Sequence, residues 1–476
     1  MAETKKLCPV FKKCGGCKYI DIPYEEELKK KEAYVVGLLK PYIKLSGITG
    51  MKDPSHYRNK VSAAFGLDRR GVPVSGIYEE KSHHIVQVDS CLLEDKKADE
   101  IIVTIRSLLK SFKIKVYDED SGYGLLRHVL IRVGKTSGQI MVVLVTASPI
   151  FPSKQNFCKA LRERHPEITT IVQNINNRTD SLVLSDRENV LYGKGFIEDT
   201  LCGKTFRISA RSFYQINPVQ TEKLYTKAIE YAGLTGKETI LDAYCGIGTI
   251  GIIASDHAAR VISVELNKDA TRDAITNTKK NNIKNLTVYT DDAGAFMEKL
   301  AADNAKIDTV FMDPPRQGSS EAFIKSLLLL KPKKVVYISC GPDTLARDLK
   351  LLTRGGYKCK KAECFDMFPK TDHVETVALL SKLSEAKHFV NVKVEMDEMD
   401  VTCAESKATY REIAEWVQEN YGLHVSNLSI AQVKQKYGII ERENYNKPKS
   451  QDSKQPGTSD MRIKAIEEAM RHFQMI

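Results

Sequence analysis

From Lys237 onward, short apolar runs alternate with amphipathic stretches. ETILDAYCGIGTIGIIAS reads as an apolar strand, a Gly-rich turn and a helix. RVISVELN, LTVYTDDAG, DTVFMDPPRQG and KKVVYISCG follow as further apolar runs, with helical patterns between them. Such alternation predicts a doubly wound parallel sheet whose ligands lie at the carboxyl ends of the strands. The last two runs, YKCKKAECFDMF and HVETVALLSKL, have no helical stretch between them and predict a closing antiparallel hairpin.

Elsewhere the period is mixed. RHVLIRVGKTSGQIMVVLVT reads as two strands joined at Lys135-Thr-Ser-Gly, CKALRERHPEI as a helix stopped at His165-Pro166, and TTIVQNINN as a strand. A further helix begins just after Pro218. Beyond about residue 385, ATYREIAEWVQENYG has a capping box at Thr409 and Glu412 and an apolar face of Ile413, Trp416 and Val417. SNLSIAQVKQKYG and MRIKAIEEAMRHF read as two more helices, with the polar linker NKPKSQDSKQPGTSD before the last. The expected organisation is a cysteine-rich region at 1–95, a mixed α/β domain at 96–200, the doubly wound domain at 201–384 and a helical extension at 385–476. The extension receives no role from its sequence.

The chain has 476 residues, 28% of them charged and 42% hydrophobic, an ordinary globular balance spread over more than one core. No run approaches the ~20 apolar residues of a membrane helix, and the N-terminus has no apolar signal core. A cytoplasmic protein with no membrane partner is expected, its eleven cysteines reduced. Net charge is +11; the stretch from Glu385 to the end carries −2, which leaves +13 on residues 1–384. A basic body with a near-neutral tail points to a polyanion as partner of the body.

Chemistry concentrates in three places. CPVFKKCGGCKY sets Cys8, Cys14 and Cys17 in a C-x5-C-x2-C pattern among lysines, and Cys91 follows in SHHIVQVDSCLLED. Four thiolates suit zinc or an iron–sulfur cluster, and spacing alone does not choose. The Gly-rich turn Gly246-x-Gly248-x-x-Gly251, with Glu265 on the next strand, matches a dinucleotide fingerprint. Three features favour S-adenosylmethionine over NAD. Asp242 would repel a pyrophosphate and suits a cofactor bearing a positive amino group. Asp313-Pro314-Pro315 fixes a carboxylate at the crevice floor, and a terminal hairpin is expected of methyltransferase sheets. Arg316 stands where amine-methylating enzymes place an aromatic residue, which leaves carbon methylation open.

The third place is the end of KKVVYISCG. Carbon 5 of a pyrimidine becomes nucleophilic only after a thiolate adds at carbon 6, and a base must then remove the carbon-5 proton. Cys340 at a strand tip supplies the thiol, unless it is merely a small core residue. The following hairpin offers Asp366, Asp372, His373 and Glu375, of which Glu375, entering the last strand, is the candidate base.

Taken together, DAYCGIGTIG, DPPRQG, YISCGPDTLARDL and DMFPKTDHVETVALL resemble the RNA (uracil-5-)-methyltransferase family over roughly residues 8–384. YRNKVSAAF and SHHIVQVDSCLL fit it too. The N-terminal cysteines are similar to the four-iron–four-sulfur site of its 23S ribosomal RNA branch. The resemblance implies an α/β fold with a Rossmann-like, S-adenosylmethionine-dependent methyltransferase sheet, a mixed α+β N-terminal and central part, and a helical C-terminal extension. It implies Cys340 as nucleophile and Glu375 as proton acceptor. It gives Gln215, Tyr244, Glu265 and Asp313 the cofactor, with Glu265 on the ribose hydroxyls and Asp292 near the adenine. It gives Cys8, Cys14, Cys17 and Cys91 a [4Fe-4S] cluster in preference to zinc. The implied partner is RNA, ribosomal before transfer RNA, and no protein partner is inferred. Many relatives begin with a small β-barrel that contacts RNA, whereas only seven residues precede Cys8. The expected grip on RNA therefore lies in the cysteine region, the middle domain or the tail. A non-catalytic RNA-binding protein with this fold is the rival outside enzymes. Cytosine-5 methylation would place a cysteine after the motif proline, and DPPRQG has none.

Overall fold

The computed structural model describes residues 8–79, 82, 84–119, 121–178, 182–383, 410–437 and 459–473. They fall into two units, Met1–Glu385 and Ala386–Ile476. The first opens with α1 (Phe11–Cys14), α2 (Tyr24–Leu39) and the short β1 (Ile48–Thr49). Then come β2 (Lys60–Leu67), β3 (Pro73–Tyr78), β4 (Ile85–Gln87), α3 (Lys96–Ser111), β5 (Leu126–Val133), β6 (Ile140–Thr146), α4 (Lys154–Arg164), β7 (Ile168–Ile175) and β8 (Glu188–Tyr192). These strands make a seven-stranded sheet in the order β4-β3-β2-β5-β6-β7-β8. The expected hairpin joins β5 to β6, and β7 returns parallel to β6 because α4 carries the chain across. Val129, Ile131, Val142 and Leu144 pack with Ile105 of α3 and Phe157 of α4.

A hairpin of β9 (Phe196–Leu201) and β10 (Lys204–Ser209) leads to α5 (Pro218–Ala232). The Asn217 side chain accepts the Gln220 N–H and Pro218 occupies the first turn, so α5 starts where its sequence says it should. The regular half follows: β11 (Thr239–Ala243), α6 (Thr249–Ala254), β12 (Arg260–Glu265), α7 (Lys268–Lys280), β13 (Leu286–Thr290), α8 (Ala293–Ala302), β14 (Thr309–Met312), α9 (Glu321–Leu330), β15 (Lys334–Ser339), α10 (Pro342–Arg354), β16 (Tyr357–Phe365) and β17 (Glu375–Lys382). Its sheet has eight strands in the order β1-β16-β17-β15-β14-β11-β12-β13. β17 runs antiparallel to β15 and β16, and the other pairs are parallel. This is the expected α/β methyltransferase sheet, closing hairpin included.

The N-terminal segment is shared between the sheets. β1 pairs parallel with β16, Ile48 opposite Cys364, while β2, β3 and β4 belong to the seven-stranded sheet. α2 lays Val35 and Leu39 on the face formed by Leu241, Val310 and Val335. On the other face, Ile240, Phe311 and Val336 pack with Leu224 and Ala228 of α5, in one core with Leu130 and Val143 of the seven-stranded sheet. Both sheets are thereby tied to β11, β14 and β15.

The second unit contains α11 (Tyr410–Tyr421), α12 (Asn427–Lys436) and α13 (Asp460–His472). Ile413 and Val417 of the expected apolar face are buried with Ile430, Ile466 and Met470, and Trp416 stacks on the His472 ring with centroids 5.2 Å apart. Thr409 of the capping box, Cys403 and linker residues 446–458 lie outside the described residues. Among the described residues, no helix is long and apolar enough to cross a membrane.

Candidate active site

Cys340 sits half-buried in the single turn between β15 and α10. The antiparallel register that pairs Ser339 with Thr376 sets Cys340 beside Glu375 at the end of the two strands. The turn is tight for a reason. A Cβ at Gly341 would lie 2.7 Å from Thr344 Oγ1 and 3.2 Å from the Arg316 carbonyl oxygen, so the Asp313-Pro-Pro-Arg turn can approach only a glycine here.

That second turn hangs from the same helix. Asp348 of α10, fully buried, accepts the Ser319 N–H at 2.9 Å, the Tyr337 hydroxyl at 2.6 Å and Arg347 Nε at 2.8 Å. Arg347 Nη2 donates to the Ser319 and Gln317 carbonyls at 2.8 and 3.0 Å. α10 therefore mounts both parts: the thiol at its N-terminus and the loop carrying Asp313 and Arg316 along its second turn.

The groups so gathered act on one another. Burial and then Asp313, opposed by Arg316, push Glu375 up to about 8. Burial alone pushes Asp313 up to about 7. The Cys340 thiol is pushed up to about 12 by burial, then by Glu375 and Asp313, with Arg316 favouring the thiolate. Glu375, 3% exposed, is no surface carboxylate. The other hairpin acids are committed: Asp366 to Lys31 and Tyr24, Asp372 to Lys18.

The cofactor residues converge on the Gly-rich turn. Gln215, Tyr244 and Asp313 line one cleft with Gly246 and Thr249. Glu265 and Gly246 line an adjoining cavity of about 430 Å³. Glu265 accepts the Gly246 N–H on Oε2 at 3.0 Å and the Asn267 N–H on Oε1 at 2.8 Å, which fixes the carboxylate at the strand end. Tyr244 adopts a left-handed backbone, φ 65°, a strained conformation that turns the chain sharply out of β11. One expectation needs correcting. Asp242 is fully buried and accepts the Gly251 N–H at 2.8 Å, bracing the turn instead of facing a cofactor amine. Asp292 is exposed and lines neither cleft; it caps α8 through the Ala295 N–H, and only its charge reaches Tyr244. Phe213 and Tyr225 also line the cleft and were not singled out from sequence. Phe213 is 67% exposed, and an aromatic residue two positions before Gln215 was the available signal.

The four N-terminal cysteines share a neighbourhood. Cys17 is pushed up to about 11 by burial, by Cys14 and, more weakly, by Cys8. Cys91 accepts the Leu93 N–H and is raised by burial and Glu94, which also acts on Cys14. Among the described residues, however, no group of three or more His, Cys, Asp or Glu is arranged to hold a metal ion.

A model of the family described as tRNA (uracil-5-)-methyltransferase matches residues 23–383. Similar curated proteins include an uncharacterized RNA methyltransferase of Halalkalibacterium halodurans, 41% identical over 378 residues, which covers 78% of this chain and 82% of the relative. Another uncharacterized RNA methyltransferase, from Clostridium acetobutylicum, is 40% identical over 390 residues, covering 80% and 85%. Among solved structures, the Pyrococcus abyssi tRNA (uracil-54, C5)-methyltransferase in complex with S-adenosyl-L-homocysteine is similar with a TM-score of 0.64 and 29% identity, over 77% of this chain and 85% of that one.

Proposed function

The chain belongs to the tRNA (uracil-5-)-methyltransferase family, and within that family we propose that it methylates carbon 5 of a uridine in 23S ribosomal RNA through a covalent bond from Cys340. It is an S-adenosylmethionine-dependent RNA methyltransferase. The observation that carries the uridine chemistry is the cross-strand placement of Cys340 beside Glu375, in one electrostatic group with Asp313 and Arg316.

The thiol is stored protonated, releases its proton to water as it adds, and recovers one from Glu375 once the thiolate has been returned. The new Sγ–C6 bond opens the C5–C6 double bond and sends the electron pair toward the carbonyl oxygen at carbon 4. S-adenosylmethionine, when bound, supplies the methyl group to the carbon 5 that this addition makes nucleophilic. Glu375 then takes the carbon-5 proton; the double bond re-forms and the Sγ–C6 bond breaks, returning the thiolate. Arg316, whose charge favours the Cys340 thiolate, is suited to the first step, and Asp313 keeps the cofactor side of the floor polar. Because Glu375 must be ionised to act and sits near about 8, kcat/KM should rise with pH from 6 to 9 and break near 8. A pH profile in which Glu375→Gln keeps that break would remove Glu375 from this role.

Mounting on α10 has a consequence of its own. Asp348→Asn keeps the shape of the side chain and loses the charge that orders the Asp313–Ser319 loop. Turnover should fall about 10- to 100-fold, as displacements near 1 Å do, while the melting temperature moves by only a few degrees. An unchanged turnover would mean that the loop is held without Asp348.

Residues Cys8, Cys14, Cys17 and Cys91 would hold the [4Fe-4S] cluster, with zinc the poorer alternative. Support comes from the donors: three thiols within one another's fields, and N–H bonds to sulfur at Cys14 from Gly16 and at Cys91 from Leu93, which favour thiolates. Its chemistry would be to cross-link the N-terminal segment to the strand-edge loop around Cys91, with no part in methyl transfer. Iron and acid-labile sulfide after anaerobic purification, absent in Cys17→Ser, are the expected result; zinc in their place would reverse the assignment. We further propose that the reaction takes place in the cytoplasm.

Nucleoside mass spectrometry tests the reading directly. Unmodified ribosomal or transfer RNA incubated with the protein and S-adenosylmethionine should gain 5-methyluridine in the ribosomal RNA, and Cys340→Ala should gain none. Product confined to transfer RNA would overturn the substrate while leaving the chemistry, and no methylated uridine in either would favour a binding protein.

A further inference from the structure

A second cavity, of about 400 Å³, opens beside Cys340 and shares no lining residue with the cofactor crevice. Its walls include Cys340 and His373 on the hairpin side, Lys18 and Tyr19 before α2, and Lys30 and Tyr34 of α2 itself. α2 is divided by its period. Glu27, Lys31, Val35 and Leu39 are buried, while Lys30 and Tyr34 stay on the open side, Tyr34 51% exposed.

A uridine whose carbon 6 meets Cys340 brings its sugar and phosphates with it, and Cys340 lines this cavity but neither of the two on the cofactor side. Resting on the uridine reading above, we propose that this cavity is the subsite for the nucleotide adjoining the reacting uridine, with Lys18 and Lys30 on phosphate and Tyr34 stacked on the base. Lys30 and Tyr34 stand four residues apart, which puts their Cβ atoms about 5–6 Å from each other on one face. A phosphate and the base of the same nucleotide are separated on that scale. The present partners of the lysines do not oppose this. Lys18–Asp372 at 3.1 Å and Lys30–Glu26 at 2.9 Å are exposed ion pairs, weak enough to exchange for a phosphate. Lys31 also reaches the cavity but is occupied by Glu27 and Asp366, so it holds the wall in place instead of gripping RNA. A basic groove with an aromatic face for stacking is the general means by which single-stranded RNA is held without sequence preference.

The test compares the full-length protein with Lys18→Glu/Lys30→Glu, Tyr34→Ala and Tyr34→Phe, binding in vitro transcripts of ribosomal and transfer RNA across a salt series. Losing two phosphate contacts should flatten the slope of log affinity against log salt by about 1.4, at roughly 0.7 per contact for single strands. Tyr34→Ala should weaken binding about 5- to 100-fold, and Tyr34→Phe should restore it. All three side chains are exposed, so thermal melting should match the unaltered protein. Wild-type slope and affinity in every variant, with 5-methyluridine still formed, would overturn the subsite alone. If the unaltered protein makes no 5-methyluridine, the uridine reading falls and the subsite with it.

Discussion

Glu375→Gln should stop the protein after the methyl group has moved and before the RNA can leave. Once carbon 5 is methylated, the Sγ–C6 bond breaks only as the carbon-5 proton departs, and the amide cannot take it. The expected result is RNA joined to the chain through Cys340, stable on a denaturing gel and already bearing the methyl group. Turnover should fall by about 10²–10⁴, the usual share of general base catalysis. Cys340→Ala should give neither product nor adduct, and the double variant should behave like it. The fold supports this division of labour because Glu375 opens β17 beside Cys340, while the two remaining hairpin carboxylates are already bound to lysines. Free turnover in Glu375→Gln would pass the proton to Asp313, the other raised carboxylate in the group.

The strand ends proposed to carry this chemistry were legible because each follows a short apolar run and stops at a turn residue, a purely local pattern. Cys340, Glu265 and Asp313 stand at such ends, and Glu375 opens the last strand; Gln215, in the loop between β10 and α5, and Tyr244 came from the family resemblance. Asp242 misled for the same reason. It stands at a strand end, yet its carboxylate turns back into the core, where a Cβ on Gly251 would lie 2.8 Å from it. Local pattern shows which strand ends in an acid and not where the acid points. Asp292 also caps α8 through the Ala295 N–H. β1, two residues long, has no period to read, so its place on the sheet edge was invisible. Least legible of all were buried charges whose partners lie far along the chain.

Lys31→Met is the sharpest test of one such set. The Lys31 ammonium is 2% exposed and donates to Glu27 Oε1 at 2.9 Å, Asp366 Oδ1 at 2.7 Å and the Phe368 carbonyl at 3.1 Å, so its three hydrogens are all used. The second Asp366 oxygen takes the Tyr24 hydroxyl at 2.7 Å, and Glu27 Oε1 also takes the Lys370 N–H at 2.6 Å. Methionine fills nearly the same volume but leaves two buried carboxylates with, among the described residues, Lys370, 3.4 Å from Glu27, as the remaining ion-pair partner. Breaking a buried ion set in this way costs about 3–5 kcal/mol. The melting temperature should fall on the order of 5–10 °C. Adding Glu27→Gln and Asp366→Asn should recover much of the loss, because the penalty comes from uncompensated charge and not from packing. Catalysis should suffer before folding does. Asp366 to Lys370 begin the loop that ends at Glu375, and the Lys370 carbonyl also receives the Lys18 and Tyr19 N–H groups at 2.8 and 3.1 Å. Turnover at 25 °C should therefore drop in Lys31→Met while the protein is still folded. A variant that melts with the wild type and keeps its turnover would show that α2 and its charges do not set the position of the base.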